Sequence, residues 1–208
     1  MNHIPEPKRI IVGVSGASGA AYARRLMQLL VDAGIETHAV FSPNGRRLFV
    51  DELDIHDVSA ESLIGRPTDL YTLHAYKDIG GILASGSFKT AGMVVCPCST
   101  HSMASIAAGI GDNILIRAAA VTLKERRRLI IVPREMPFSH IDLLNATRLS
   151  EAGAIICPPA PGFYMRPETI DDIVDFVAAK ILDLFDVPHR LNTHWADQVE
   201  RATDTELL

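Results

Sequence analysis

Apolar, β-branched runs alternate along the chain with segments whose apolar positions recur at helical spacing. Residues 9–14, 36–41, 93–96, 128–132 and 154–157 are short apolar runs bounded by turn formers, the signature of buried strands. Residues 20–33 place Ala23, Leu26, Leu30 and Ala33 on one face and stop at Gly34, which predicts a helix. Helical spacing also covers residues 44–52, 102–108, 112–125, 141–151 and 169–185. Strands alternate with helices, and parallel strands need crossover helices. The pattern therefore predicts an α/β fold, a doubly wound, mostly parallel sheet between helical layers. Residues 53–89 alternate poorly and carry Gly65-Arg66-Pro67, Gly80-Gly81 and Ser85-Gly86-Ser87. They predict an irregular, partly mobile insertion.

Each predicted strand ends on small, polar or charged residues. The turns are Ser15-Gly16-Ala17-Ser18-Gly19, Ser42-Pro43, Pro97-Cys98-Ser99-Thr100, Pro133-Arg134-Glu135 and the segment from Pro158 to Tyr164. Ligands of open parallel sheets bind outside the carboxyl ends of the strands. Backbone N–H groups and helix N-termini there favour anions. One edge of one sheet is thus predicted to hold a phosphorylated ligand.

With 208 residues, 48% of them hydrophobic, the chain fits one domain. Residues 1–8 form an N-terminal extension, 9–187 the domain and 188–208 a polar tail bearing the only tryptophan, Trp195. That tryptophan either packs on a neighbouring subunit or ligand, or frays. The net charge of −5 argues against nucleic acid as a partner. Lys124, Arg126, Arg127 and Arg128 read as a solvated helix end. No stretch approaches the ~18 apolar residues of a membrane span, and residues 1–9 lack the pattern of a signal peptide. Three cysteines, Cys96, Cys98 and Cys157, two of them in apolar strand-like runs, point to buried thiols and a cytoplasmic location. Cys96-Pro97-Cys98 matches neither a redox nor a zinc pattern, so no metal is expected.

The first turn is not GxGxxG, and Ser42 stands where a dinucleotide-binding sheet carries an acidic ribose anchor. That counts against NAD and suits a monophosphate such as FMN, met by hydroxyl and N–H donors. Ser99 and Ser102 occupy helix-capping positions, beside Thr100 and His101 in a second anion-friendly turn. Arg134 can fork onto a phosphate or a flavin carbonyl, and a partly desolvated Glu135 can move a proton. Asp171-Asp172-Ile173-Val174-Asp175 matches a metal-diphosphate motif of all-helical enzymes. Here the aspartates open a helix, where negative charge offsets the dipole, and no second acidic motif completes a clamp.

Five segments in order resemble the UbiX family of flavin prenyltransferases. They are Val14-Ser15-Gly16-Ala17-Ser18-Gly19-Ala20, Met93-Val94-Val95-Cys96-Pro97-Cys98-Ser99-Thr100, Leu123-Lys124-Glu125-Arg126-Arg127, Val132-Pro133-Arg134-Glu135-Met136-Pro137-Phe138-Ser139 and Pro159-Ala160-Pro161-Gly162-Phe163-Tyr164. The resemblance implies a single-domain Rossmann-like (flavodoxin-like) three-layer sandwich. It also implies transfer of a dimethylallyl group from dimethylallyl monophosphate to N5 and then C6 of reduced FMN, without metal. The product is prenylated FMN, the cofactor of UbiD-type decarboxylases in ubiquinone synthesis or aromatic acid metabolism. A homododecamer with sites between subunits is implied as well.

By the same resemblance, Gly16, Ala17, Ser18, Ser42, Ser99, Thr100, His101, Ser102 and Arg134 contact FMN. Arg117, Lys124, Arg134, Tyr164 and Lys180 hold the prenyl phosphate, Lys124 with a catalytic share through its charge. Ser18 and Glu52 assist proton movement near flavin N5, Glu135 acts at the leaving group or in later proton transfer, and Trp195 lines the prenyl pocket. Lys180 departs from the arginine of many members and offers a point charge in place of a fork. Two alternatives share FMN. A cysteine-type decarboxylase needs a histidine in the helix after strand 1, and residues 20–33 have none. A non-catalytic FMN-binding protein has no use for Lys124, Glu135 and Tyr164 together.

Overall fold

The computed structural model describes residues 8–191. The strands are β1 (Arg9–Val14), β2 (Glu36–Phe41), β3 (Tyr71–His74), β4 (Gly92–Cys98), β5 (Arg128–Pro133) and β6 (Ile155–Ile156). The helices are α1 (Ala20–Asp32), α2 (Pro43–Leu53), α3 (Ala60–Ile64), α4 (Thr100–Ala107), α5 (Ile114–Lys124), α6 (His140–Glu151) and α7 (Ile170–Leu184). All strand pairings are parallel, in the order β3-β2-β1-β4-β5-β6. The five strands expected from sequence stand in the flavodoxin order 2-1-3-4-5, and β3 extends the edge beyond β2 to complete the Rossmann order.

Both faces of the sheet are covered, which is why its central strands are continuous apolar runs. Ile10, Val12, Val14, Val94, Ile130 and Val132 meet Leu26 and Leu30 of α1 and Val177 and Ile181 of α7. Ile11, Met93, Val95 and Ile131 meet Met103 of α4 and Leu115 and Ala119 of α5. Helix α1 packs on α7, and α4 on α6. Thr169 and Asp172 form a capping box at the start of α7, and Asp175 pairs with Arg25 of α1 (Nη2–Oδ2 3.1 Å). The acidic triplet therefore caps and docks a helix.

Two expectations are corrected. The segment 53–89, expected to be irregular and partly mobile, contains α3, β3 and a 3-10 turn at Ile82–Ala84. It is tied down by the buried Tyr71 hydroxyl, which donates to the Val58 carbonyl (2.8 Å), and by Gln28 Nε2, which donates to the Leu63 carbonyl (2.9 Å). Of the arginines expected to be a solvated helix end, Arg127 and Arg128 instead staple backbone. Arg127 donates to the carbonyls of Gly86 and Phe88, and Arg128 to the Leu184 carbonyl and the Asp186 carboxylate. Lys124 and Arg126 are exposed. Among the described residues, no helix is long and apolar enough to cross a membrane.

Candidate active site

Strand order reverses between β1 and β4, so the loops that follow these two neighbours diverge and open a crevice at their carboxyl ends. Ser15 stitches its two sides. Its backbone N–H and its hydroxyl both donate to the Pro97 carbonyl (3.1 Å each), and its Oγ accepts from Ser99 N–H (2.8 Å). Ser99 is the N-cap of α4, its Oγ accepting from Ser102 N–H (3.2 Å) and donating to Ser102 Oγ (3.2 Å). Ser42 caps α2 by accepting from Gly45 N–H (2.9 Å). Ser42, which accepts one N–H, keeps its O–H to donate, and so does Ser102, whose Oγ accepts from Ser99. A Cβ on Gly45 would lie 2.5 Å from the Val14 carbonyl oxygen, so only glycine lets α2 start this close to β1.

The N-terminus of α1 is already capped, from a distance. Gly19 offers no side chain, and the Glu52 carboxylate from α2 accepts from Gly19 N–H (3.0 Å) and Ala20 N–H (2.8 Å). A carboxylate there complements the positive pole of the helix. The anion seat expected at the glycine turn thus belongs to Glu52. The crevice retains the hydroxyls and N-terminus of α4, the Ser42 hydroxyl and Arg134 for a phosphate. Arg134 reaches across from the end of β5, its Nε donating to the Ser18 carbonyl (3.2 Å) and its backbone N–H to the Cys98 carbonyl (3.2 Å). Glu135 is exposed beside it and accepts from Met136 N–H (3.2 Å). Gly16, Ser18 and His101 are exposed at the crevice loops, Ala17 is buried, and Thr100 opens α4.

The remaining expected residues fall elsewhere. Tyr164, in the 3-10 turn Phe163–Met165, packs edge-on to Phe176 of α7 at 6.0 Å. Lys180 lies one turn further along that helix, exposed, close enough for its charge to pull the Cys157 thiol down against the larger upward effect of burial. Arg117 and Lys124 share an exposed stripe of α5. Lys124 ends α5 and leads into the first residue of β5, whereas Arg134 follows the last. The six residues of β5 span roughly 20 Å. One chain does not bring Lys124 to Arg134. Trp195 lies outside the described residues.

Sequence reasoning missed the role of Ser15, although a polar residue ending an apolar strand at the switch point was a visible signal. The chemistry of the crevice fits a flavin mononucleotide. Hydroxyl donors, a helix N-terminus and a guanidinium are the groups a phosphate would need, and the Glu52 carboxylate and the Ser18 hydroxyl border one turn.

Known proteins agree with this geometry. The flavoprotein family model matches residues 2–182. The flavin prenyltransferase UbiX of Thermoplasma acidophilum is 46% identical over 189 residues, covering 90% of this chain and 99% of its own. AnUbiX, solved in complex with FMN and dimethylallyl pyrophosphate, superposes with a TM-score of 0.83 at 37% identity, over 91% of this chain and all of its own. A dodecameric FMN-dependent UbiX-like decarboxylase from Escherichia coli superposes with a TM-score of 0.82 at 41% identity, over 90% and 98%. The chain belongs to the flavoprotein family and, within it, to the UbiX flavin prenyltransferases.

Proposed function

We propose that the protein transfers a dimethylallyl group from dimethylallyl monophosphate to reduced FMN bound at the β1/β4 crevice. The observation that carries the reading is the convergence of Ser18, Glu52 and Arg134 on one turn. Reduced FMN supplies the nucleophilic N5, and then C6, to which the allyl group is attached. Ser42, Ser99, Ser102 and the N-terminus of α4 seat its phosphate, with Gly16, Ala17, Thr100 and His101 along the rim. Arg134 holds Ser18 through Nε and keeps its two Nη groups for the anionic oxygens of either substrate. Glu52 and Ser18 handle the proton near N5, and Glu135 acts at the leaving phosphate. The metal-free site stabilises the departing phosphate with cations.

Those cations come from more than one copy of the chain. Arg117 and Lys124 lie too far from Arg134 within one chain to share its pocket. Beside the Arg134–Glu135 turn is an exposed apolar surface, with Met136 90%, Ile141 69%, Leu143 52% and Leu144 45% accessible. A homo-oligomer, dodecameric as in the Escherichia coli relative, covers that surface and completes the pocket with Tyr164, Lys180 and, from the tail, Trp195. Residues 9–187 act as one flavoprotein domain, with 1–8 as an extension and 188–208 contributing to the site. Unpaired Cys96, Cys98 and Cys157 support a cytoplasmic setting. The product, prenylated FMN, is passed to a UbiD-type decarboxylase.

The test is anaerobic incubation of the protein with reduced FMN and dimethylallyl monophosphate, then mass spectrometry of the released flavin. A flavin heavier by one dimethylallyl unit is expected. Unmodified FMN, recovered from protein shown to bind it, overturns the reading.

A further inference from the structure

Tyr22 has no role in the site described so far, yet its ring lies against the turn on which that site depends. It is the third residue of α1 (Ala20–Asp32), and its backbone N–H donates to the Gly19 carbonyl (3.1 Å). A Cβ on Gly19 would come within 2.8 Å of Tyr22 Cδ2, 3.3 Å of Cε2 and 3.7 Å of Pro97 Cβ. The edge of the ring thus packs on the bare Cα of Gly19, which Pro97 of β4 also faces. At φ 125°, Gly19 has a backbone conformation that residues with side chains rarely adopt.

That contact bears on the chemistry because of what the same turn holds. A glycine at the start of a helix without a side-chain cap has little local restraint. Here the Gly19 and Ala20 amides bind the Glu52 carboxylate, and the preceding Ser18 carbonyl receives Arg134. Tilting the turn would move Glu52, Ser18 and Arg134 together. Tyr22 is half-buried, and burial, then Cys96 and Glu52, push its phenol pKa up. The ring therefore stays neutral and adds no second negative charge beside Glu52.

We propose that Tyr22 is a positioning residue for prenyl transfer: its ring, packed on Gly19, sets the Gly19 and Ala20 amides that orient Glu52 and the turn that presents Ser18. The inference deepens the proposed function and rests on it for the rate measurement, but not for the measurement of the turn itself.

The first measurement is amide hydrogen exchange of residues 17–23 in flavin-free protein. Tyr22→Leu is expected to speed exchange at Gly19 and Ala20 while the strands keep their protection, and Tyr22→Phe, which retains the ring, to keep the wild-type pattern. The second is a double-mutant cycle with Glu52→Gln on the single-turnover rate of prenyl transfer. Tyr22→Leu alone is expected to slow the step about tenfold, within the range that a displaced catalytic group costs. In the Glu52→Gln background it should add little, because residues acting through one another are non-additive. If Tyr22→Leu does not fold, Tyr22→Met, which also removes the ring but keeps its bulk, carries the same two tests. Unchanged exchange at Gly19 and Ala20, or full additivity in the cycle, overturns the proposal. A wild-type protein that makes no prenylated flavin removes the proposed function and leaves the exchange result to decide on the turn.

Discussion

Arg134 Nε donates to the Ser18 carbonyl at 3.2 Å, joining the end of β5 to the loop after β1 across the intervening strand. A guanidinium has donors to spare for this, since Nε can hold a carbonyl while both Nη groups face an anion. A lysine presents one point charge and cannot serve both at once. Arg134→Lys is therefore expected to weaken flavin and prenyl-phosphate binding by roughly ten- to hundredfold, as one charge-assisted hydrogen bond is worth roughly 1.5–3 kcal/mol. Titrations followed by flavin fluorescence and by calorimetry check this. Wild-type affinities in both would show that Arg134 only braces the loop.

Ser15 is 1% exposed and serves Pro97 and Ser99 together. Ser15→Ala leaves the Ser99 N–H short of an acceptor, a loss of roughly 1–3 kcal/mol for a buried group. The expected results are a lower melting temperature and weaker FMN binding at the α4 terminus. Ser15→Thr, which keeps the hydroxyl, should recover both, and Ser15→Val should not. Equal behaviour of the threonine and valine variants would remove the stitch from the account.

The central strands were legible because strands covered on both faces are written as unbroken apolar runs, as in Arg128–Pro133. Strand β3 was not legible for the opposite reason. It is an edge, only Tyr71 of its four residues is buried, and its sequence Tyr-Thr-Leu-His carries no run to recognise. Its place is fixed by backbone pairing to β2 and by His74 against His38. The site divides in the same way. Turns at strand ends announce themselves through small and polar residues, and the crevice follows from topology. That Lys124 and Arg134 lie at opposite ends of β5 follows from the predicted strand between them, but that Glu52 would reach back to cap α1 depends on how α2 returns across the sheet, which local pattern does not encode.

A partly buried polar chain runs through the β1–β2–β3 side of the sheet. Arg9 Nε donates to Glu36 Oε2 (2.7 Å), Glu36 Oε1 meets His38 Nε2 (3.0 Å), and His38 Nδ1 meets His74 Nε2 (2.9 Å). Both histidines are held below the usual range, chiefly by burial. Glu36 raises and Arg9 lowers His38; His38 lowers and Asp78 raises His74. The unfolded chain therefore binds more protons than the folded one below pH of about 6.5, and stability falls as pH drops through that value toward the folded pKa values. Urea unfolding at several pH values should show this slope, and His38→Gln should flatten it. A slope unchanged by that substitution would assign the acid sensitivity elsewhere.

The cysteines should differ in reactivity. Burial pushes the Cys98 thiol up to about 12, with Ser15 opposing, and Cys96 is also pushed up, by burial and then its neighbouring thiols. Cys157 is partly exposed and feels Lys180. Iodoacetamide at mildly alkaline pH is expected to label Cys157 alone in the native protein, and the other two only after unfolding. Lys180→Met should slow that labelling, because the charge favouring the thiolate is gone. Equal labelling rates with and without the lysine would place its ammonium away from Cys157.

The separation of Lys124 from Arg134 within one chain makes a direct test of assembly. Lys124 closes α5 just before β5 begins, and Arg134 follows the last residue of β5, beside the exposed Met136 and Ile141. If each pocket takes Arg134 from one copy and Lys124 from a neighbour, Lys124→Ala and Arg134→Ala are each nearly inactive alone. Unfolding and refolding the two variants together then regenerates intact pockets wherever a Lys124→Ala chain supplies the arginine and an Arg134→Ala chain the lysine. Random assembly at equal amounts restores roughly a quarter of wild-type pockets, the product of two even choices in a symmetric oligomer. Recovery near that level, lost when one double-mutant chain replaces both single variants, fits a pocket shared between copies. Mixtures no more active than their parts would mean that both residues serve within a single chain, or that one of them lies outside the pocket.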